Sequence, residues 1–348
     1  MNVRILKRGL ARIGLVSMVV LSCAFGGAWG ASAWDSVIAA AKKDGSVTVY
    51  SVFPIAIENS LYGRFRETYG ITVNNVHVGG SVPTVKKFLT EAQAGQSVAD
   101  VMVIWKTAAL PLRNQNLVAK LDLPNGAAAM PQFSNNDGFF YVPFVEAMPI
   151  IYNANLISQA DLPKEYKDLS DPKYRGKLIS GVPENSANWI EIIEAWRELY
   201  GWDWIKAYAA NHVLENVTEI QAAELMSRGE RALGVMSQSA PAAQIAAGAP
   251  LGFDWLRPII VGQYAIVVPA RAPHPNAARA MANMILSKDF QAAWATQIGT
   301  FSVLPDVAPR AGFPPLTALR VYVANLTTVI NDGGKIVDQY RQIMNAAK

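Results

Sequence analysis

The chain switches repeatedly between two hydrophobic periods, and the switches outline its elements. Residues 46–52 read S-V-T-V-Y-S-V, a β-branched alternation that predicts a strand. Within 59–69, Leu61, Phe65 and Tyr69 share one helical face, and Gly70 stands where a left-handed C-cap belongs. A second strand follows over 71–78, then the turn Gly79-Gly80-Ser81, then a helix from near Pro83 to about Ala94, proline being well suited to a first turn. The unbroken apolar run 101–105 predicts a buried strand. With a short amphipathic helix over 34–43, stopped by Asp44-Gly45, the β-α-β-α-β order predicts a parallel sheet covered by helices on both faces.

Residues 139–152 form a long extended stretch in which Pro143 and Pro149 would break a ladder, so it reads as a crossover between lobes. Beyond the charge- and proline-rich loop 162–177 a second alternation begins. It predicts a strand over 177–182, a Trp-rich helix over 186–200, helices over 202–211 and 218–227, and a strand over 232–236. Trp189, Trp196, Trp202 and Trp204 read as core. A second extended stretch, 262–269, precedes helices over 275–286 and 289–299 and a helical tail from about Pro315. No period of 20–50 residues repeats.

Composition changes the picture mainly at the N-terminus. The first 33 residues carry Arg4, Lys7, Arg8 and Arg12, no acid, an apolar run over 13–25, and Ala31-Ser32-Ala33. These are the parts of a secretory signal peptide, with cleavage expected after Ala33 and export from the cytoplasm. The apolar run falls short of the about 20 residues that span a bilayer. Removing those four bases from 31 leaves 27 Lys and Arg against 27 Asp and Glu over 315 positions. The mature body is formally neutral, so the net charge of +4 is no footprint of nucleic acid. The one cysteine, Cys23, lies in the leader, where lipoprotein processing would compete with the Ala31-Ser32-Ala33 site. A chain this long and 51% apolar is neither a disulfide scaffold nor disordered.

Catalytic constellations are missing. His77, His212 and His274 lack the i, i+4 partner of a helical zinc site and read as structural or solvated. There is no nucleophile elbow, Walker loop or dinucleotide fingerprint. Gly79-Gly80-Ser81 before a helix suits a bound anion or simply a tight turn. No enzyme activity, cofactor or resident metal is expected.

Five stretches carry a resemblance. They are A-A-A-K-K-D-G-S-V-T-V-Y-S over 39–51, F-R-E-T-Y-G over 65–70, A-D-V over 99–101, D-L-S-D-P-K-Y-R-G-K over 168–177, and the helix pair from Pro275 to Phe290. In order and spacing they resemble the extracellular solute-binding proteins of bacterial ABC importers, in the ferric-iron-binding type branch, across essentially the whole mature chain. The resemblance implies a type II periplasmic-binding fold, two α/β lobes joined by two crossovers and closing on a solute, and an inner-membrane permease as partner of a monomer. On that basis residues 34–147 and 270–310 make lobe 1, residues 148–269 lobe 2, and 311–348 a C-terminal tail. Ferric-binding members carry an adjacent Tyr-Tyr pair after the strand over 232–236, whereas this chain reads Ser237-Gln238-Ser239-Ala240. Neutral hydroxyl and amide groups do not replace phenolates on a trivalent cation. The resemblance therefore leaves an organic solute as the main expectation. A ferric protein using a companion anion, a secreted enzyme on the same fold, and a sensory adaptor remain as alternatives.

Open α/β sheets bind ligands at the C-terminal ends of their strands. That rule gathers Ser51, Phe53, Gly80, Ser81, Trp105 and Lys106 from the first lobe. From the second it takes Asn185, Ser186, Asn188, Ser237, Gln238 and Ser239, with Glu146 and Tyr264 on the crossovers. Ser186 would equally serve as a plain N-cap. Helix N-termini at Ser81 and Ser186 predict an anionic solute, a carboxylate, phosphonate or phosphate ester. Replacing Ser237 and Gln238 together by alanine is expected to weaken binding and leave the empty protein's stability unchanged.

Overall fold

The computed structural model describes residues 26–134, 137–183, 188–215 and 218–347. Most of the expected leader, and the site candidates Asn185 and Ser186, lie outside the described residues. The chain divides into units Met1–Ser36 and Val37–Lys348.

Helices α1 (Gly26–Asp44), α2 (Ile55–Tyr69) and α3 (Ser81–Gln93) alternate with strands β1 (Ser46–Ser51), β2 (Thr72–His77) and β3 (Val101–Trp105), following the two periods. Gly70 closes α2 at φ 72°, its N–H reaching the Arg66 carbonyl at 2.8 Å, in a conformation that costs glycine nothing. Strand β3 is buried along its whole length, which is why it reads as an apolar run. Helix α4 (Lys106–Asn114) follows β3 directly and was not legible, since Pro111 interrupts its pattern. The extended stretch over 139–152 resolves into β4 (Phe144–Ala147) and β5 (Ile150–Asn153), each beginning just after one of the two prolines.

Next come β6 (Leu178–Ser180), α5 (Asn188–Ala209), α6 (Glu219–Ser227), β7 (Leu233–Val235), α7 (Ala242–Ala246) and β8 (Leu251–Asp254). Helix α5 runs through both helices expected over 186–211 and breaks at Gly201, where φ 78° and ψ 171° leave the helical region. The remainder is β9 (Ile259–Val267), α8 (Pro275–Ile285), α9 (Lys288–Ile298), β10 (Phe301–Ser302), β11 (Val321–Tyr322) and α10 (Leu326–Ala346). The tail is thus helical only from Leu326, after a short strand.

Two sheets result. The larger runs β10-β4-β9-β3-β1-β2, with β11 beside β9, and the smaller runs β6-β7-β5-β8. The expected parallel pairing holds for β1 with β2 and β3, and for β6 with β7. In the larger sheet β9 runs antiparallel to β3 and β4 and β10 antiparallel to β4, and in the smaller β5 runs antiparallel to β7 and β8, so both sheets are mixed. The chain passes between sheets at Met148-Pro149 and again over residues 255–258. The second passage comes before 262–269. Those residues fall largely in β9, an interior strand buried at all nine positions, and extended character alone could not separate the two cases.

Packing accounts for both layers. Tyr50, Met102, Ile104, Ala265 and Val267 of the large sheet pack with Phe88 of α3 and Leu112 of α4. In the small sheet Ile151 and Ile179 pack with Met226 of α6 and with Met236. Helix α10 lies along α5, and its Tyr340 hydroxyl donates at 2.7 Å to Glu215, beyond the end of α5. Among the described residues no helix is long and apolar enough to cross a membrane.

Candidate functional site

Strand register builds the first wall of the site. Trp105, at the end of β3, pairs with Tyr264 of β9, and Glu146 of β4 pairs with Gly262. The Trp105 and Tyr264 rings stack with centroids 3.9 Å apart. Phe53, just past β1, packs against Tyr264 at 4.6 Å and against Trp294 of α9 at 4.9 Å. Gly262 makes room for this stack, because a Cβ there would lie 2.6 Å from Cζ3 of Trp105. Gly262→Ala is therefore expected to push Trp105 off Tyr264, lower the melting temperature by several degrees and shift the tryptophan emission. Unchanged emission and melting would show that the ring has space the packing denies it.

A cavity of about 760 Å³ opens over this wall. Its opposite side comes from the small sheet, with Val182 past β6, Asn188 and Trp189 opening α5, Glu219 opening α6, and Ser237 and Ser239 past β7. Strand ends and helix starts of both sheets thus converge on one space, as expected for an open α/β fold.

Of the residues singled out in the sequence, Phe53, Trp105, Glu146, Asn188, Ser237, Ser239 and Tyr264 line this cavity. Ser51, Ser81, Lys106 and Gln238 do not line it, and each is held by a partner. Ser51 donates to Glu58, which also accepts from the Tyr62 hydroxyl at 3.1 Å. Ser81 accepts from the Trp105 amide at 2.9 Å, so it positions the aromatic wall and leaves Gly79 to reach the cavity ahead of Gly80. Lys106 donates to Gln263 at 2.9 Å, and burial lowers its amine. Gln238 is fully buried; it accepts from the Ala147 amide at 2.6 Å and donates to the Gly299 carbonyl at 3.0 Å.

Sequence reasoning missed Glu219, His77 and Arg310, which also line the cavity. Glu219 is visible in the sequence only as an acid in the first turn behind the Thr218–Gln221 capping box. Arg310 comes from the loop between β10 and β11, where no periodicity points anywhere. It passes Gly299, whose φ of 90° is a glycine conformation and whose missing side chain lets Cδ of Arg310 approach to 3.4 Å of the Cβ position.

The charges are unequally engaged. Glu146 is 4% exposed and accepts from the Ser239 hydroxyl. Burial raises it to about 8, so it is largely protonated at neutral pH. Glu219 accepts from the Trp189 indole at 3.0 Å and from both the amide and the hydroxyl of Ser237. Burial raises it too, against those bonds. Tyr264 lies well above the ordinary phenol range, through burial and the adjacent acids, so phenolate chemistry is closed to it. Half-buried Arg310 has no side-chain hydrogen bond or ion pair among the described residues. Among the described residues no cluster of three or more His, Cys, Asp or Glu is arranged to hold a metal.

Comparison with known proteins agrees with this architecture. A Fe(3+)-binding periplasmic protein of Serratia marcescens is 28% identical over 177 residues, 49% of this chain and 51% of that protein. The chain thus spans about half the length of the curated relative it matches. The solved structure of iron-bound HitA from Pseudomonas aeruginosa superposes with a TM-score of 0.75 at 18% identity, over 86% of this chain and 99% of that one. AfuA from Actinobacillus pleuropneumoniae, solved with exogenous fructose-6-phosphate, gives 0.73 at 17% identity over the same shares, 86% and 99%. At such identities the likeness establishes the fold, that of the type II periplasmic binding proteins. The family model described as bacterial extracellular solute-binding protein matches residues 60–319, and the chain belongs to that family.

Proposed function

We propose that this protein is the periplasmic receptor of an ABC importer, exported through its N-terminal leader, and that it captures a small organic anion between two lobes built on the two sheets. One observation carries the choice of an anion. Of the charged groups that line the cavity among the described residues, Glu146 is buried and largely neutral and Glu219 is filled by donors, so the unengaged charge is the Arg310 guanidinium. Helices α5 and α6 both begin at the cavity wall and add their positive ends. A carboxylate, phosphonate or phosphate ester matches that field, and arginine suits such planar or tetrahedral oxyanions. AfuA, which shares the fold, was solved with a phosphate ester. The role is binding, with release to a permease, and the solute leaves unaltered.

A thermal-shift screen of the purified mature protein tests this reading. Phosphate esters or carboxylates are expected to raise the melting temperature by several degrees, and Arg310→Gln to abolish the rise. Stabilisation by neutral sugars with none from any anion would reject the anion.

The name of the Serratia relative favours a second reading, ferric ion held with a companion anion. Tyr264, Glu146 and His77 line the cavity, but the phenol is held far from ionisation. Titration with ferric nitrilotriacetate decides it, since iron on a tyrosinate gives a visible charge-transfer band.

A further inference from the structure

The hydrogen-bond inventory of the cavity floor is lopsided. Ser237 and Ser239 both spend their hydroxyl protons on carboxyl groups, Ser237 on Glu219 and Ser239 on Glu146. Each hydroxyl oxygen keeps only lone pairs to offer. Glu219 is already committed as an acceptor, to Trp189 and twice to Ser237. Asn188, 2% exposed, turns its amide toward Glu219, and its Oδ1 is buried without a hydrogen-bond partner among the described residues. A buried acceptor left alone is costly, so this one is poised for a donor. On the facing wall, Trp105, Tyr264 and Phe53 present aromatic faces that suit the C–H side of a carbon skeleton.

We propose that Asn188, Ser237, Ser239 and Glu146 form a subsite that reads hydroxyl groups, so that the cargo is a polyhydroxylated acid or phosphate ester. This rests on the reading of the cavity as the site of an organic anion, and adds what the rest of the solute must be. The acceptors face donors of the solute, and the neutral carboxyl of Glu146 can both accept a hydroxyl proton and return its own. A solute ammonium fits worse. It would need an ionised carboxylate at a position burial keeps protonated, beside a Glu219 already filled by its own donors. The cavity of about 760 Å³ has room for a chain or ring of six carbons with its anionic group.

A matched set of probes tests the subsite by calorimetric titration of the full mature protein: sorbitol 6-phosphate, hexyl phosphate, 6-aminohexyl phosphate and uncharged sorbitol. Sorbitol 6-phosphate is expected to bind at least about tenfold tighter than hexyl phosphate, because a site built for hydroxyls is left with unpaired polar groups when they are missing. Glu146→Leu and Ser239→Ala should each erase most of that preference, costing sorbitol 6-phosphate more affinity than hexyl phosphate. Glu146→Gln, which offers a neutral acceptor and donor of the same size, should retain it within about threefold. Melting curves of the variants separate loss of recognition from loss of folding, with Ser239→Ala the milder exchange.

Equal binding of sorbitol 6-phosphate and hexyl phosphate overturns the hydroxyl subsite and leaves the anion intact. Tighter binding of 6-aminohexyl phosphate, or equal damage from Gln and Leu at 146, overturns it in favour of an ammonium read by an ionised carboxylate. Binding of sorbitol with rejection of all three phosphates rejects the anion and supports the hydroxyl subsite. Rejection of all four probes by a folded protein overturns both.

Discussion

Raising the pH from 5 to 8.5 lowers the melting temperature of the empty protein by roughly 5–10 °C. Three glutamates carry most of this slope, and Glu219, raised by burial as well, adds to it in the same sense. Glu58 is fully buried, Glu191 is 1% exposed and Glu146 4%. Burial lifts Glu58 and Glu191 to about 7 and Glu146 to about 8, against the partial relief of hydroxyl donors from Ser51, Thr107 and Ser239. In the unfolded chain all three titrate near the ordinary carboxyl value of about 4.3. Below that value both states hold the protons, and the native state suffers no penalty. Between there and the native values the folded chain keeps protons that the unfolded chain has lost, so stability falls as pH rises, until both states are ionised. Lys106, lowered by burial, acts in the opposite sense, in the alkaline range where an amine titrates. Glu191 sits across from the large sheet, taking a bond from Thr107 in the first turn of α4, and its Oε2 is buried without a partner among the described residues. Glu191→Gln should therefore flatten the slope with little loss of stability at pH 5. A melting temperature that stays constant or rises over this interval would mean that these carboxyls are better solvated than their burial indicates.

The same burial explains what could and could not be read from the sequence. Strands β1 and β3, helices α2 and α3 and the pair α8 and α9 announce themselves, because runs such as V-M-V-I-W and caps such as Gly70, Ser287 and Gly299 are local signals. Strand β8 and helix α4 were missed. Leu251–Asp254 is too short to show a period, and Pro111 sits inside a helix that its surroundings hold together. The break between sheets at 255–258 was hidden for a different reason. An extended chain looks the same whether it crosses or pairs, and only the neighbours of β9 decide. At the site, the rule of strand ends gathered the aromatic wall and Glu146, since position along a strand is enough to place them. It failed for Ser51, Ser81, Lys106 and Gln238 because sequence shows the chemistry of a side chain and not which buried group has already claimed it. Arg310 and Glu219 lay beyond reach, because long-range packing alone brings them to the cavity.

Gln238→Ala is expected to cost the empty protein about 2–5 kcal/mol, reversing the expectation that Ser237 and Gln238 could be exchanged without loss of stability. The side chain is fully buried and does not line the cavity. Its carbonyl accepts from the Ala147 amide at the end of β4, and its amide donates to the Gly299 carbonyl at the end of α9. Its own backbone N–H reaches the Ala147 carbonyl at 3.2 Å, so the loop after β7 is tied to the large sheet twice. Alanine would leave the Ala147 N–H and the Gly299 C=O buried without partners, and a void where the amide stood. Gln238→Glu separates the two bonds, since a carboxylate still accepts from Ala147 but gives nothing to Gly299 and adds a buried charge; it should be at least as harmful at neutral pH and milder at pH 5. Urea denaturation of both variants reads the cost directly. Because Gln238 fixes the loop that carries Ser237 and Ser239, affinity for a solute should fall along with stability. A Gln238→Ala protein as stable as the parent but unable to bind would return this residue to the cavity wall.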